Sequence, residues 1–73
     1  MTKPALNDAV VACIDEMHAR LSEAARIAKA AQACARAGSI SEAVTVTMDI
    51  EQLIYEASRL HDAASLLNRI AES

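Results

Sequence analysis

Two histidines, His18 and His61, are the residues whose chemistry suits a metal site best. Helical bundles bind transition metals through imidazole and carboxylate side chains on facing helices. Asp15 and Glu16 precede His18, and Asp62 follows His61, so a zinc or iron site is one interpretation. The Glu-x-x-His pairs of di-iron bundles are missing, and two half-exposed histidines beside a helix seam explain the pattern more simply. We therefore predict that the protein binds no metal and no cofactor. If a metal did bind, His18 and His61 would be the candidate ligands.

Two cysteines, Cys13 and Cys34, are the candidate nucleophiles. Nucleophilic catalysis needs a base beside the nucleophile and a third group that orients the base. Neither cysteine has a histidine three or four residues away. They lie about 31 Å apart along one predicted helix, so they cannot form a disulfide within the chain. These observations predict reduced thiols in a cytoplasmic protein that is not an enzyme.

Two heptad ladders carry these residues and predict the fold. Each ladder places small or apolar residues at alternating spacings of three and four, which is typical of packed helices. The first comprises Val10, Ile14, Met17, Leu21, Ala24, Ala28, Ala31 and Ala35, and the second comprises Val46, Ile50, Leu53, Ala57, Leu60, Ala64, Leu67 and Ala71. We interpret both ladders as the seam of an all-α, antiparallel two-helix hairpin, which forms one domain over residues 1–73.

The ends of the ladders carry helix start and stop signals. Thr2 and Pro4 suit the beginning of a helix, the first as a cap and the second in the first turn. Gly38, the only glycine, suits the left-handed position that follows a helix. Ser39 and Glu42 form a capping box, S-x-x-E, that predicts an immediate restart of the chain as a second helix.

The start of the second helix has two interpretations. The β-branched run 44–47 is unfavourable in a helix, and Asp49 with Gln52 offers a later capping box. Residues 38–46 would then be a loop or a short helical turn, and the helix would begin near 47–49. A continuous helix is favoured because Ala43 and Val46 keep the spacing of the ladder. Folding at Gly38 also places Arg20 opposite Glu56.

Size and composition predict self-association. Phenylalanine and tryptophan are absent, and the 17 alanines bury little area each. Below about 70–80 residues, one core rarely supplies more than about 3–5 kcal/mol. We therefore predict a dimeric four-helix bundle. The residues predicted to form its core and oligomer contacts are Ile14, Met17, Leu21, Ile50, Leu53, Leu60 and Leu67.

The charge balance limits the classes of partner. A net charge of −3 argues against a general nucleic-acid binder, which would carry a basic face. The basic residues of the first helix nevertheless keep a nucleic-acid-binding regulator as the alternative function; they are Arg20, Arg26, Lys29 and Arg36. No stretch approaches 18 consecutive apolar residues, so no membrane span is expected. Acidic residues among the first twenty argue against an export signal.

Four large side chains lie off the ladders, at spacings of four, four and seven: Ile40, Val44, Met48 and Tyr55. An exposed apolar patch usually marks an interface. Met48 and Tyr55 occupy position f, where a solvent-facing helix would carry a charged residue. The stripe predicts a non-enzymatic interaction module of the adaptor, chaperone or inhibitor type that binds another protein. A second protomer, or a loop folded over the core, would also cover these residues.

The alternation of alanine and leucine, together with Met1-Thr2-Lys3 and Leu60-His61-Asp62, resembles the Rop-type plasmid RNA-binding proteins. That resemblance implies a homodimeric four-helix bundle with an RNA-binding face on the first helix. In Rop-type proteins this face uses lysines, a glutamine, an asparagine and a phenylalanine. This chain has Asn7 and Gln32 in its first helix, and it contains no phenylalanine. The likeness is one of architecture.

Overall fold

The chain folds as an all-α hairpin, as the ladders predict. A computed structural model describes residues 1–73 and contains α1 (Lys3–Arg36), α2 (Ile40–Val46), a 3₁₀ turn (Thr47–Asp49) and α3 (Ile50–Glu72). The last three elements follow one another without a break and form a second arm, which packs antiparallel to α1. The Cα atoms span 54 × 13 × 12 Å, so the hairpin is a rod rather than a sphere.

Helix α1 begins and ends where its capping residues predict. The Thr2 hydroxyl accepts a hydrogen bond from the Ala5 N–H at 3.3 Å. At the other end Gly38 has a φ of +92°, a conformation that glycine adopts without strain. The Gly38 N–H donates to the Ala35 carbonyl and the Ser39 N–H to the Cys34 carbonyl, both at 3.0 Å. These two bonds form a Schellman motif, which satisfies the last carbonyl groups of α1.

The predicted capping box at Ser39 is wrong. The chain does restart as a helix at Ile40, but the Ser39 side chain makes no capping hydrogen bond. Its backbone already closes the Schellman motif, and its ψ of 66° lies outside the extended region that a capping residue normally adopts. The helix begins instead on the Ser39 carbonyl, which accepts from the Ala43 N–H at 2.9 Å.

The second arm is helical throughout but changes its winding in the β-branched region. The Thr45 hydroxyl donates to the Ser41 carbonyl at 3.1 Å, and the Thr47 hydroxyl donates to the Val44 carbonyl at 2.6 Å. Such hydroxyls compete with the backbone for helix carbonyls and favour a tighter last turn. The arm therefore contains a short helix and a 3₁₀ turn before its long helix. Asp49 makes no side-chain cap, because its backbone is already helical.

The seam between the arms is thin, and its fully buried residues are mostly alanine. Only six of 73 residues are buried, and they are Leu6, Ala24, Ala31, Ala43, Ala57 and Ala64. All eight residues of the second ladder are buried or half-buried, so the second arm uses this ladder as its side of the seam. Ile50, Leu53, Leu60 and Leu67 are half-buried there.

The first ladder lies in the seam only in part. Val10, Met17, Ala24, Ala31 and Ala35 are buried or half-buried, but Ile14 and Leu21 remain 47% and 43% exposed, and Ala28 is exposed as well. The interpretation of the whole first ladder as seam is therefore wrong. The place of the column of Ile14, Leu21 and Ala28 is taken by the column one residue before it in the heptad, which comprises Leu6, Cys13, Arg20, Ile27 and Cys34. A hairpin covers two neighbouring columns of a helix, and α1 has three that are mostly small or apolar, so one column is left uncovered.

Candidate interaction surfaces

One side of the hairpin carries several exposed apolar side chains. We call it the apolar face, and it comprises Ile14, Leu21 and Ala28 of α1 with Ile40, Val44 and Ile54 of the second arm. Leu21 and Ile54 line one shallow depression, together with Met17 and His61. Ala28, Ile40 and Val44 line a second depression nearer the tip of the hairpin. The face therefore draws on both arms, with Ile14 toward the open end of the rod and Ile40 at its tip.

The opposite side of the hairpin carries a charged network near its middle. The Arg20 guanidinium donates from Nε to Glu56 at 3.0 Å and from Nη1 to Glu16 at 2.8 Å. The Gln52 amide also donates to Glu56, at 3.1 Å. The contact between Arg20 and Glu56 confirms the register that folding at Gly38 predicts. We call this surface the charged face.

The charged face holds its ions in the charged state. Hydrogen bonds to Glu16, and then to Glu56, raise the pKa of Arg20 above its ordinary value. The hydrogen bond from Gln52, and then that from Arg20, lowers the pKa of Glu56 below its ordinary value. Both groups stay accessible to water, where such pairs contribute little to stability. An ionised network of this kind favours exposure to solvent over burial against an apolar partner.

The predicted four-residue stripe is divided between two surfaces. Ile40 and Val44 belong to the apolar face. Met48 and Tyr55 lie on the outside of the second arm, 65% and 57% exposed, and border a depression that they share with Glu51 and Gln52. The Arg59 guanidinium lies over the Tyr55 ring at 5.6 Å from its centroid. We call Met48 and Tyr55 the outer stripe.

The histidines and cysteines, which are the candidates for metal binding and nucleophilic chemistry, lie in different surroundings. His18 is 3.4 Å from the Ser22 hydroxyl, and His61 Nδ1 is 3.8 Å from Asp62. No three His, Cys, Asp or Glu side chains come together as a metal site. Cys13 and Cys34 are free thiols, half-buried on the seam side of α1.

The basic residues of α1 do not act as one surface. Arg20 belongs to the charged face, and Arg26 pairs with Glu23 three residues before it. Lys29 and Arg36 form no salt bridge. The charges that a nucleic acid would use are thus partly neutralised within the hairpin.

Sequence reasoning missed Ile54. Leu53 belongs to the seam, whereas Ile54, the next residue, lies on the apolar face. The signal that could have revealed it is a second apolar column on each helix. A helix that packs against two neighbours needs an apolar surface wider than one a/d stripe. No helix in the structure is both long and apolar enough to span a membrane. Comparison with known proteins found no matching family model, curated protein or solved structure.

Proposed function

We propose that this chain is a non-enzymatic interaction module that assembles as a homodimeric four-helix bundle and binds another protein through the outer stripe. The observation that carries the proposal is the exposure of large apolar side chains on a hairpin with a thin seam. Five of them, Ile14, Leu21, Ile40, Val44 and Ile54, share one face and are all at least 43% exposed.

The dimensions of the hairpin support a larger assembly. Its accessible surface is 5219 Å², whereas a compact monomer of this mass would expose roughly 4,400 Å². Its radius of gyration is 16.7 Å, whereas a compact domain of this length would have roughly 11 Å. A second hairpin on the apolar face would double the thickness of the rod and give its alanine seam a second layer of apolar contacts.

The outer stripe suits a separate protein partner. Met48 and Tyr55 lie on the outside of the second arm, so a copy packed on the apolar face leaves them accessible. Tyrosine supplies a large contact area at low entropic cost, and methionine adapts to irregular surfaces. Glu51 and Arg59 beside them would form a polar rim of the kind that surrounds binding hot spots.

A double substitution tests the outer stripe. Met48→Glu with Tyr55→Glu should leave the helical circular dichroism and the oligomeric state unchanged, and abolish the capture of a protein partner from cell extract. The matched control is Ala30→Glu with Ala33→Glu, which adds the same charge on exposed positions of α1. Retention of every partner by the stripe variant would contradict the proposal.

The alternative function is a nucleic-acid-binding regulator, and Lys29 and Arg36 support it because they form no ion pair. The same capture experiment, repeated after nuclease treatment, separates the two functions. Binding through nucleic acid would disappear with nuclease and would weaken steeply between about 50 and 200 mM salt. Capture that survives both treatments favours the protein-binding module.

A further inference from the structure

We infer that the second copy packs on the apolar face with the two hairpins antiparallel, the tip of each beside the open end of the other. This inference rests on the proposed function and specifies its dimer. In this arrangement α1 contacts α1 of the second copy, and each second arm contacts the other second arm. The charged face remains in water on both outer sides.

The exposed area fits one partner of this size. The hairpin as a whole exposes roughly 800 Å² more than a compact monomer of its mass would. A standard protein interface covers about 800 Å² on each partner. His61 and Asp62 are the only ionisable residues that line the two depressions of the apolar face, so covering it with a copy of itself desolvates few charges.

The sizes of the side chains on α1 favour the antiparallel orientation of the two hairpins. The large residues Ile14 and Leu21 lie toward the open end, whereas Ala28 and Ala35 lie toward the tip. An antiparallel copy places Leu21 on Ala28 and Ile14 on Ala35, with Ala25 beside its own copy at the two-fold axis. The same axis places His18 on Gln32, so polar residues also meet. Large side chains then fill the space beside small ones, which is how bundle layers pack.

The middle of the second arm follows the same pattern. Its residues lie level with those of α1, because Leu21 and Ile54 share one depression and Ala28 and Thr47 share the other. The antiparallel axis therefore brings Ile54 close to Thr47 of the second copy, again large beside small. A parallel copy would instead place α1 over the second arm. Leu21 would then meet Ile54 in one layer and Ala28 would meet Thr47 in another, which overpacks the first layer and leaves a void in the second.

One contact opposes this arrangement and gives it a distinctive signature. Glu51 lies level with Ala25, so each Glu51 would approach its own copy near the rim of the interface. Like charges at this distance repel. Glu51→Gln should therefore tighten the antiparallel dimer, measured as a lower dissociation constant in sedimentation equilibrium. In the parallel arrangement Glu51 would face Ala25 and Lys29 of the other copy, and the same substitution would weaken the dimer.

Two matched substitutions test the docking face. Ile54 and Ile70 both belong to α3 and are 45% and 50% exposed, but Ile70 lies on the side away from the apolar face. In sedimentation equilibrium the wild type and Ile70→Glu should be dimers, and Ile54→Glu should weaken dimerisation at least about a hundredfold, because it buries an unpaired charge. A monomeric wild type would overturn the dimer of the proposed function as well. A wild-type dimer that survives Ile54→Glu, or that Ile70→Glu disrupts, would overturn the docking face alone.

Cysteine cross-linking tests the orientation. In a background where Cys13 and Cys34 are replaced by serine, Ala25→Cys should form an intermolecular disulfide with its own copy under mild oxidation. A mixture of Leu21→Cys and Ala28→Cys chains should also cross-link. A parallel dimer would instead join Ala25→Cys chains to Glu51→Cys chains and leave Ala25→Cys alone unlinked. That result would overturn the antiparallel orientation.

Discussion

Arg20 shows how a charged residue can belong to a seam. Its side chain is 36% exposed, and it reaches Glu16 on its own helix and Glu56 on the other arm. The long aliphatic stem of arginine can cover apolar surface while its guanidinium stays in water. The column of Arg20 therefore faces the second arm, in place of the column of Ile14 and Leu21 that the ladder predicts. The salt bridge to Glu56 fixes the register of the arms.

The ion pair gives stability a modest dependence on pH. Because the pKa of Glu56 is lower in the folded protein than its ordinary value of 4.5, the carboxylate stabilises the fold above that value. This contribution is lost as the pH falls through the lowered pKa. Glu56→Gln should remove that part of the acid sensitivity, seen as a smaller shift in the urea midpoint between about pH 7 and about pH 3. Asp8→Asn, which changes an exposed carboxylate outside the network, should keep the full shift. An equal shift in the wild type and in Glu56→Gln would contradict this assignment.

At the scale of elements, the sequence predicted what periodicity and capping chemistry determine. The helical hairpin, the turn at Gly38 and the cap at Thr2 followed from local signals. The division of α1 did not, since Val10, Ala24 and Ala31 are flanked by mostly small or apolar residues on both sides. Periodicity cannot say which flank the other arm will cover. The 3₁₀ turn depends on hydroxyl bonds from Thr45 and Thr47, for which residue type alone gives only a tendency.

The turn between the arms supplies a prediction about backbone strain. A Cβ added to Gly38 would meet no atom within 4 Å, so the cost of a substitution there comes from its φ of +92° alone. Gly38→Ala should lower the free energy of unfolding by about 1–2 kcal/mol. Gly38→Asn should cost less, because asparagine adopts left-handed conformations more readily. Urea denaturation followed by circular dichroism measures both, and equal stability of Gly38→Ala and the wild type would show that the turn adopts another conformation in solution.

At the scale of the whole molecule, the two long faces of the hairpin have opposite solvation preferences. The charged face presents Arg20, Glu16 and Glu56, whose hydrogen bonds are already made. The apolar face presents isoleucine, leucine and valine side chains that contact only their own hairpin. A rod with such asymmetry gains most by pairing its apolar face with another apolar surface. The outer stripe lies between the two faces and remains accessible in such a pair.

For the whole molecule, we predict that assembly and folding are coupled. If each hairpin depends on the other for its second layer of contacts, unfolding and dissociation occur together, and stability depends on protein concentration. A tenfold increase in concentration then favours the folded dimer by about 1.4 kcal/mol, because that energy corresponds to a tenfold change in an equilibrium constant. The urea midpoint of the wild type and of Ile70→Glu should therefore rise with concentration. The midpoint of Ile54→Glu should lie lower and stay constant, since a chain that cannot pair unfolds as a monomer. A wild-type midpoint that is independent of concentration would mean that the thin alanine seam is sufficient by itself.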